Sequence, residues 1–257
     1  MNTLALGTAR RANRLGVHHK GPTSPYADKV RSIFGGRLIE HWPFWNGPED
    51  NPPVFCTGQA RGLVGRSGAS GIAFGQAGIG DGRNAPSFDG VGGYINVASP
   101  DMASAFNGQE FTISVWFKVD TAVWTDTVTR RILTIQITAS ERILFQKNPN
   151  TGCLMSYLCT GVTKGTTRPV AGTTANWTHA AMTVSKTADQ CICYWNGVVE
   201  GGIQTGLGTW PATPIGLTLV GASSAAPASP MLGHIAHLAI GNRALTAAEV
   251  AALAVVP

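Results

Sequence analysis

The sequence predicts an all-β fold, a sandwich of antiparallel sheets sealed at its end by one short helix. Three observations carry this. Apolar and polar residues alternate over short runs, most clearly across residues 111–120, where Phe111, Ile113, Val115, Phe117 and Val119 share one face. Turn-forming residues punctuate the chain, with 32 Gly and 15 Pro among 257 residues. The last apolar run, residues 233–240, passes directly into a capped helix.

Residues 1–24 show no period. Ser24-Pro25 then reads as an N-cap and first helical residue, because proline lacks only an N–H that a helix start leaves unbonded. Tyr26, Val30, Ile33 and Phe34 fall on one helical stripe, which Gly35-Gly36 ends. A helix so short is not stable alone and needs a surface beneath it.

Residues 38–44 are the first strand of the body. From 51 to 93 glycine recurs so often that the stretch reads as loop. Its Gly78-Ile79-Gly80-Asp81-Gly82 faintly looks like a phosphate-binding loop, but Arg83-Asn84-Ala85-Pro86 follows where a helix would have to open. Further strands are expected at 94–97, 111–120, 131–137, 142–147, 152–158, 177–185, 190–195 and 217–220. Asn196-Gly197 marks a tight hairpin, since both residues tolerate positive φ.

In the last strand, strict alternation puts Ala236, Leu238 and Ile240 on one face and Ile235, His237 and Ala239 on the other. His234 and His237 then point apart. Thr246 and Glu249 form a capping box, and Leu245 and Val250 have the spacing of a hydrophobic staple.

Composition narrows the function. Apolar residues make up 44% of the chain, enough for a core, and no run of about 18 apolar residues spans a membrane. The net charge is +5. Residues 1–40 hold seven basic side chains and two acidic ones, so the rest of the chain is balanced, with twelve of each sign. The expected organisation is a basic docking arm over residues 1–37 on a neutral body over 38–257. A charged arm on a neutral body points to an acidic partner.

The five cysteines are Cys56, Cys153, Cys159, Cys191 and Cys193. An odd count with no secretory signal peptide is expected to leave buried, reduced thiols, and no C-x-x-C spacing suggests zinc.

Several short motifs resemble, in their order, the laminin-G-like domains of the concanavalin A-like lectin/glucanase group. They are Trp42-Pro43-Phe44, Phe88-Asp89-Gly90, Tyr94-Ile95-Asn96-Val97 and residues 111–117. Trp177-Thr178-His179-Ala180-Ala181, Tyr194-Trp195-Asn196-Gly197, Gly233-x-Ile235 and Arg243-Ala244-Leu245-Thr246-x-x-Glu249-Val250 complete the series. The resemblance covers roughly residues 38–253 and implies a two-sheet antiparallel jelly roll. Members commonly carry an acidic residue after the isoleucine of the last strand, where Ala236-His237 stands here. Calcium, bound by some relatives, is therefore not expected as a cofactor; Asp89 and Asp101 are the weak candidate ligands, and a turn role suits Asp89 better.

Catalysis is not expected. Glycoside hydrolysis needs two opposed carboxylates, and no strand carries two acids in alternation. No Gly-x-Ser-x-Gly turn occurs.

Chains of this design resemble virion proteins of tailed bacteriophages. The resemblance implies a capsid decoration protein or short tail fibre, assembled in the host cytoplasm, repeated or homo-oligomeric, and held by other virion proteins. Arg10, Arg11, Arg14 and Arg31 would supply charge to that docking, and Tyr26, Val30, Ile33 and Phe34 its apolar anchor. The alternative is a lectin-like module that recognises cell-surface glycans. Trp45, Trp124 and Trp210, all in expected loops, would then be sugar platforms, or else covers for the sandwich ends. Nucleic acid is a weaker partner, because few aromatics interleave the basic residues of the arm.

Overall fold

Short alternating strands leave one apolar face each, and here those faces meet in a shared layer. The computed structural model describes residues 24–45, 66–67, 71–211, 215–224 and 228–257. One sheet runs β13 (Val198–Gln204), β12 (Gln190–Trp195), β11 (Thr178–Ser185), β6 (Glu110–Lys118), β15 (Leu232–Gly241), β4 (Asn84–Asp89) and β3 (Ile72–Ala77). Its eighth strand, β1 (Leu38–Trp42), also pairs with β15. The second, seven-stranded sheet runs β10 (Val162–Arg168), β9 (Gly152–Cys159), β8 (Arg142–Asn148), β7 (Arg130–Gln136), β14 (Leu217–Val220), β5 (Ile95–Asn96) and β2 (Arg66–Ser67). All strand pairs are antiparallel, and the whole is a jelly-roll sandwich.

The core between the sheets holds Phe111, Ile113, Val115 and Phe117 from one side and Leu133, Ile135, Ile143, Phe145, Met155 and Tyr157 from the other. Cys153, Cys159, Cys191 and Cys193 are buried free thiols in the same layer; Cys56 lies outside the described residues. At the seam between β10 and β13, the Gln204 side chain accepts a hydrogen bond from Gly165 N (2.8 Å) and donates one to Gly165 O (2.6 Å). Arg168 pairs with Glu200 beside it at 2.7 Å.

Two sequence expectations are corrected and one unforeseen strand is added. The stretch 51–93 is not all loop: β3 and β4 form a hairpin within it, and Gly78–Gly82 lies in its turn. Strand β10, a polar run with a central glycine, had no apolar alternation to announce it. In β15 the register slips between Ala236 and Ala239, and His237 takes φ +50°. Ile235, Leu238 and Ile240 therefore face the core, while Ala236 and Ala239 face outward. The bulge also places His237 on the outer side with His234, whose ring stands edge-on to Trp177.

Helix α1 (Pro25–Phe34) begins as expected, with Ser24 capping Ala27 N and proline at its first position. Its apolar stripe does not wait for another chain. Tyr26, Val30 and Phe34 are each at most 1% exposed, packed on the outer face of the eight-stranded sheet with Trp116, Tyr194, Leu245, Val250 and Leu253. Gly241 allows this approach, because a Cβ there would stand 2.4 Å from Phe34 Cδ1.

After the short helices α2 (Pro100–Ala105) and α3 (Thr121–Trp124), the C-terminal helix α4 (Ala247–Leu253) lies beside α1 and carries both halves of the Thr246–Glu249 capping box. Tyr26 Oη donates to Leu253 O at 2.8 Å, and Lys29 Nζ donates to Val255 O at 2.8 Å. Arg243 donates to Ile33 O, at the end of α1, and holds Glu249. Within the described residues α1 is a cover on the body, and the apolar stripe expected to anchor the chain elsewhere packs inside it; residues 1–23 of the expected arm lie outside the described residues.

Candidate functional site

Two sets of polar side chains stand out, one on each outer face. Under α1, the turn between β3 and β4 delivers Asp81 to the bulge of β15. Asp81 Oδ2 lies 3.1 Å from His237 Nε2, and His237 Nδ1 lies 3.1 Å from His41 Nε2. Burial alone would raise the Asp81 carboxyl, but hydrogen bonds and charge from His237, with help from Ser24 and Arg83, hold it below its usual range. An ionised carboxylate only accepts, so His237 donates from Nε2, and its Nδ1 must accept from His41.

Burial, followed by the facing imidazole and Arg31, keeps His41 neutral. Nearby, Ser114 Oγ and His179 Nε2 are 2.8 Å apart, and burial pushes His179 down to about 3. These groups are sealed: His41 and His179 have no exposure, His237 has 1%, and Tyr26 and Trp45 stand edge-on to the His237 ring. A Ser–His contact with no access for substrate is a packing device and not a nucleophile.

The outer face of the seven-stranded sheet differs. Since Leu133, Ile135, Ile143, Phe145, Cys153 and Met155 face the core, Arg131, Thr134, Arg142, Gln146, Leu154, Ser156 and Leu158 point outward. Thr134, Gln146 and Ser156 form a recessed floor, each at most 9% exposed, flanked by the half-buried Arg131, Arg142, Leu154 and Leu158. The segment after β14 borders it: Thr134 Oγ1 donates to Ala222 O at 3.1 Å, and Arg131 N donates to Ser229 O at 2.8 Å.

Register puts Arg131 opposite Gln146, and Gln146 Nε2 donates to Asn148. Shielded from solvent and without partners are Arg131 Nε and Nη1, Arg142 Nε and Gln146 Oε1. Burial, then the Arg142 charge, lowers Arg131 to about 10.

The residues expected from sequence fall elsewhere. Arg10, Arg11 and Arg14 lie outside the described residues, and Arg31 pairs with Asp28 on α1. Trp124 and Trp210 are 2% and 3% exposed and offer no sugar platform. Trp124 Nε1 donates to Thr174 O at 3.0 Å, and Trp210 stacks on Tyr157 with centroids 5.6 Å apart; both close the core. Trp45 is half-buried beneath the Arg83 guanidinium, 5.0 Å from its centroid.

Asp89 is exposed and accepts from Val91 N at 2.8 Å and Gly92 N at 3.2 Å, a turn-closing role. Nothing is described of the Asp101 side chain. Asp126, another acid near the rim, is bound by Lys147 and Arg130. Among the described residues, no group of three His, Cys, Asp or Glu is placed to hold a metal ion. Sequence reasoning missed the arginine face. Arg131 and Arg142 are both outward positions of expected strands, and only the hairpin register brings them to one recess.

Comparison with known proteins finds one family model, Laminin_G_3, described as the concanavalin A-like lectin/glucanases superfamily, matching residues 89–251. No curated protein matches. Among solved structures, domain 4 of AbnA, a GH43 extracellular arabinanase from Geobacillus stearothermophilus in complex with arabinotriose, is similar. Its TM-score is 0.58 at 17% identity, covering 85% of this chain and 98% of that one.

The Ruminococcus gnavus IT-sialidase CBM40 bound to alpha2,3 sialyllactose gives a TM-score of 0.54 at 14% identity, covering 66% and 96%. Trypanosoma rangeli sialidase in complex with sialic acid gives 0.61 at 12% identity, covering 89% of this chain but 37% of that one. At such identities the likeness is one of fold.

Proposed function

The chain belongs to the concanavalin A-like lectin/glucanases superfamily, and from that premise we propose that it is a lectin-like module. It binds carbohydrate on the recessed outer face of the seven-stranded sheet and does not cleave it. The observation that carries this is the makeup of the recess: Gln146 and Ser156 in the floor, with Arg131, Arg142, Leu154 and Leu158 beside them. Hydrogen-bonding groups next to aliphatic surface suit a sugar ring, which is polar at its edge and apolar across its C–H faces.

None of the outward-facing strand residues named in the recess is a carboxylate, whereas hydrolysis needs two. Support from outside the chain is that two similar structures are complexes with saccharides, arabinotriose in one and sialyllactose in the other. The test is retention of the full chain on a glycan array against Ser156→Trp, which fills the floor. Retention lost in the variant, with an unchanged thermal midpoint, is expected; retention unaltered by Ser156→Trp would move the site off this face.

A finer part of the proposal is a virion setting, as a capsid decoration protein or short tail fibre. Its support is the basic charge of the first forty residues. Absence of the chain from the purified parent particle would count against it, and normal incorporation of a chain lacking residues 1–23 would show that this basic charge is not the anchor.

A further inference from the structure

We propose that the recess takes an acidic sugar, with its carboxylate between Arg131 and Arg142 and a neighbouring hydroxyl donating to Gln146 Oε1. This rests on the glycan-binding reading and names the class of glycan.

Elsewhere several buried or half-buried cations have an acidic partner. Lys147, with no exposed surface, bonds Asp126 and the Val128 carbonyl. Arg130 shares Asp126, Arg168 holds Glu200, and Arg243 holds Glu249. At the recess no such pair forms. Neither Arg131 nor Arg142 enters an ion pair among the described residues, and each keeps a guanidinium N–H shielded from water with no acceptor. Each charge also lies within reach of the other, so burial and repulsion act together on Arg131. Desolvated, unpartnered charged donors are costly, and folds keep them where a ligand completes them.

The chemistry of the missing partner follows from what is left unsatisfied. Guanidinium forks match the planar, two-oxygen geometry of a carboxylate. The fourth unsatisfied atom, Gln146 Oε1, faces the same recess and is an acceptor, so it needs a donor. A bare carboxylate supplies none, and the phosphodiester backbone of DNA offers none beside its charge. A sugar acid carries the anion and the hydroxyl donors on one ring. Leu154 and Leu158 give its C–H face an apolar edge to rest on.

The test uses the full chain on one array carrying neutral, carboxylated and sulfated oligosaccharides, with the carboxylated members repeated as methyl esters. The expected result is retention of carboxylated glycans. Affinity falls about ten- to a hundredfold on esterification and in each of Arg131→Gln and Arg142→Gln, the range for a lost charge-assisted hydrogen bond. Arg131→Lys, which keeps charge and loses the fork, is expected to recover only part of it.

A separate measurement needs no ligand: Arg131→Met removes an uncompensated charge and is expected to leave the thermal midpoint unchanged or raised. A clear fall would make Arg131 a structural residue and overturn the inference. Equal retention of acids and esters, preference for sulfated glycans, or indifference to both arginines would also overturn it while leaving a glycan module in place. Failure to retain any glycan would remove both readings.

Discussion

On the outer face of the eight-stranded sheet, α1 and α4 cover a second apolar cluster, and the polar groups beneath them bond one another in a chain from His41 through His237 to Asp81. On the outer face of the seven-stranded sheet, two arginines and a glutamine lie in a recess with shielded atoms that no residue satisfies. Both faces bury charge or near-charge. The first supplies a partner for its buried charge from a distant part of the sequence, His237 for Asp81 with Ser24 and His41 beside them. That contact fixes one packing of helix on sheet, even though the uncharged His179 Nδ1 and Trp45 Nε1 there have no partner. The second supplies no counterpart, so its polarity makes sense only with something added. Whether a buried charged group finds its partner within the chain is thus the feature that separates scaffold from site.

The sharpest way to break this contrast is to ask whether α1 is scaffold at all. Phe34→Ala removes a ring at most 1% exposed and is expected to cost about 3–5 kcal/mol. The thermal midpoint would fall by roughly 2–4 °C for each kcal/mol. A midpoint unchanged in calorimetry would return α1 to the role of a docking arm.

Acidification probes the polar chain beneath it. His41, His179 and His237 all lie below the ordinary histidine value of 6.5 in the folded chain, chiefly through burial, with His179 at about 3. The unfolded chain therefore binds protons that the folded chain refuses. Stability is complete above about pH 6.5 and declines as pH falls toward the folded values, by up to about 1.4 kcal/mol per pH unit for each proton taken up. Chemical denaturation at a series of pH values reads this slope; a flat profile between pH 6.5 and about 3 would mean that these imidazoles are not held neutral.

Asp81→Asn removes the charged end of the chain and is expected to cost about 1.5–3 kcal/mol. It should also enlarge the stability lost between about pH 6.5 and 4, because the charge that raises His237 is gone and its folded value falls further below that of the unfolded chain. Smaller still, Thr246→Ala deletes one half of the α4 cap and is expected to cost about 1 kcal/mol in urea unfolding. The acidic-glycan affinity should be untouched by it, since α4 lies on the opposite face.

Much of this architecture is readable from residue order. Strand β6 alternates without interruption, β14 lies where its apolar residues put it, and both terminal helices announce themselves through Ser24-Pro25 and through Thr246 and Glu249. What escapes reading has physical causes. Strand β3 is mostly exposed and contains glycine, so pairing with β4 rather than burial makes it a strand. The bulge at His237 depends on Asp81, far off in sequence, for its partner.

Trp124 and Trp210 sit in segments that look like loops, yet loops that cap a sandwich can bury their aromatics as fully as strands do. The amphipathic stripe of α1 shows that a cover is needed but not which surface receives it. The arginine recess is a product of register. Gln146 faces Arg131 only because the β7–β8 hairpin closes where it does, past a bulge between Arg131 and Leu133 that no local pattern displays.

At the seam between the two sheets, the Gln204 amide meets both the N–H and the carbonyl of Gly165 in strand β10. That side chain presents to its neighbour the same donor and acceptor that another backbone would. The rim of β10 is thereby taken at its middle, where an added strand from a second molecule would have to zip up. A protein with exposed Val198 and Ile203 on the adjoining strand β13 thus carries its own stopper against edge-to-edge growth into fibres.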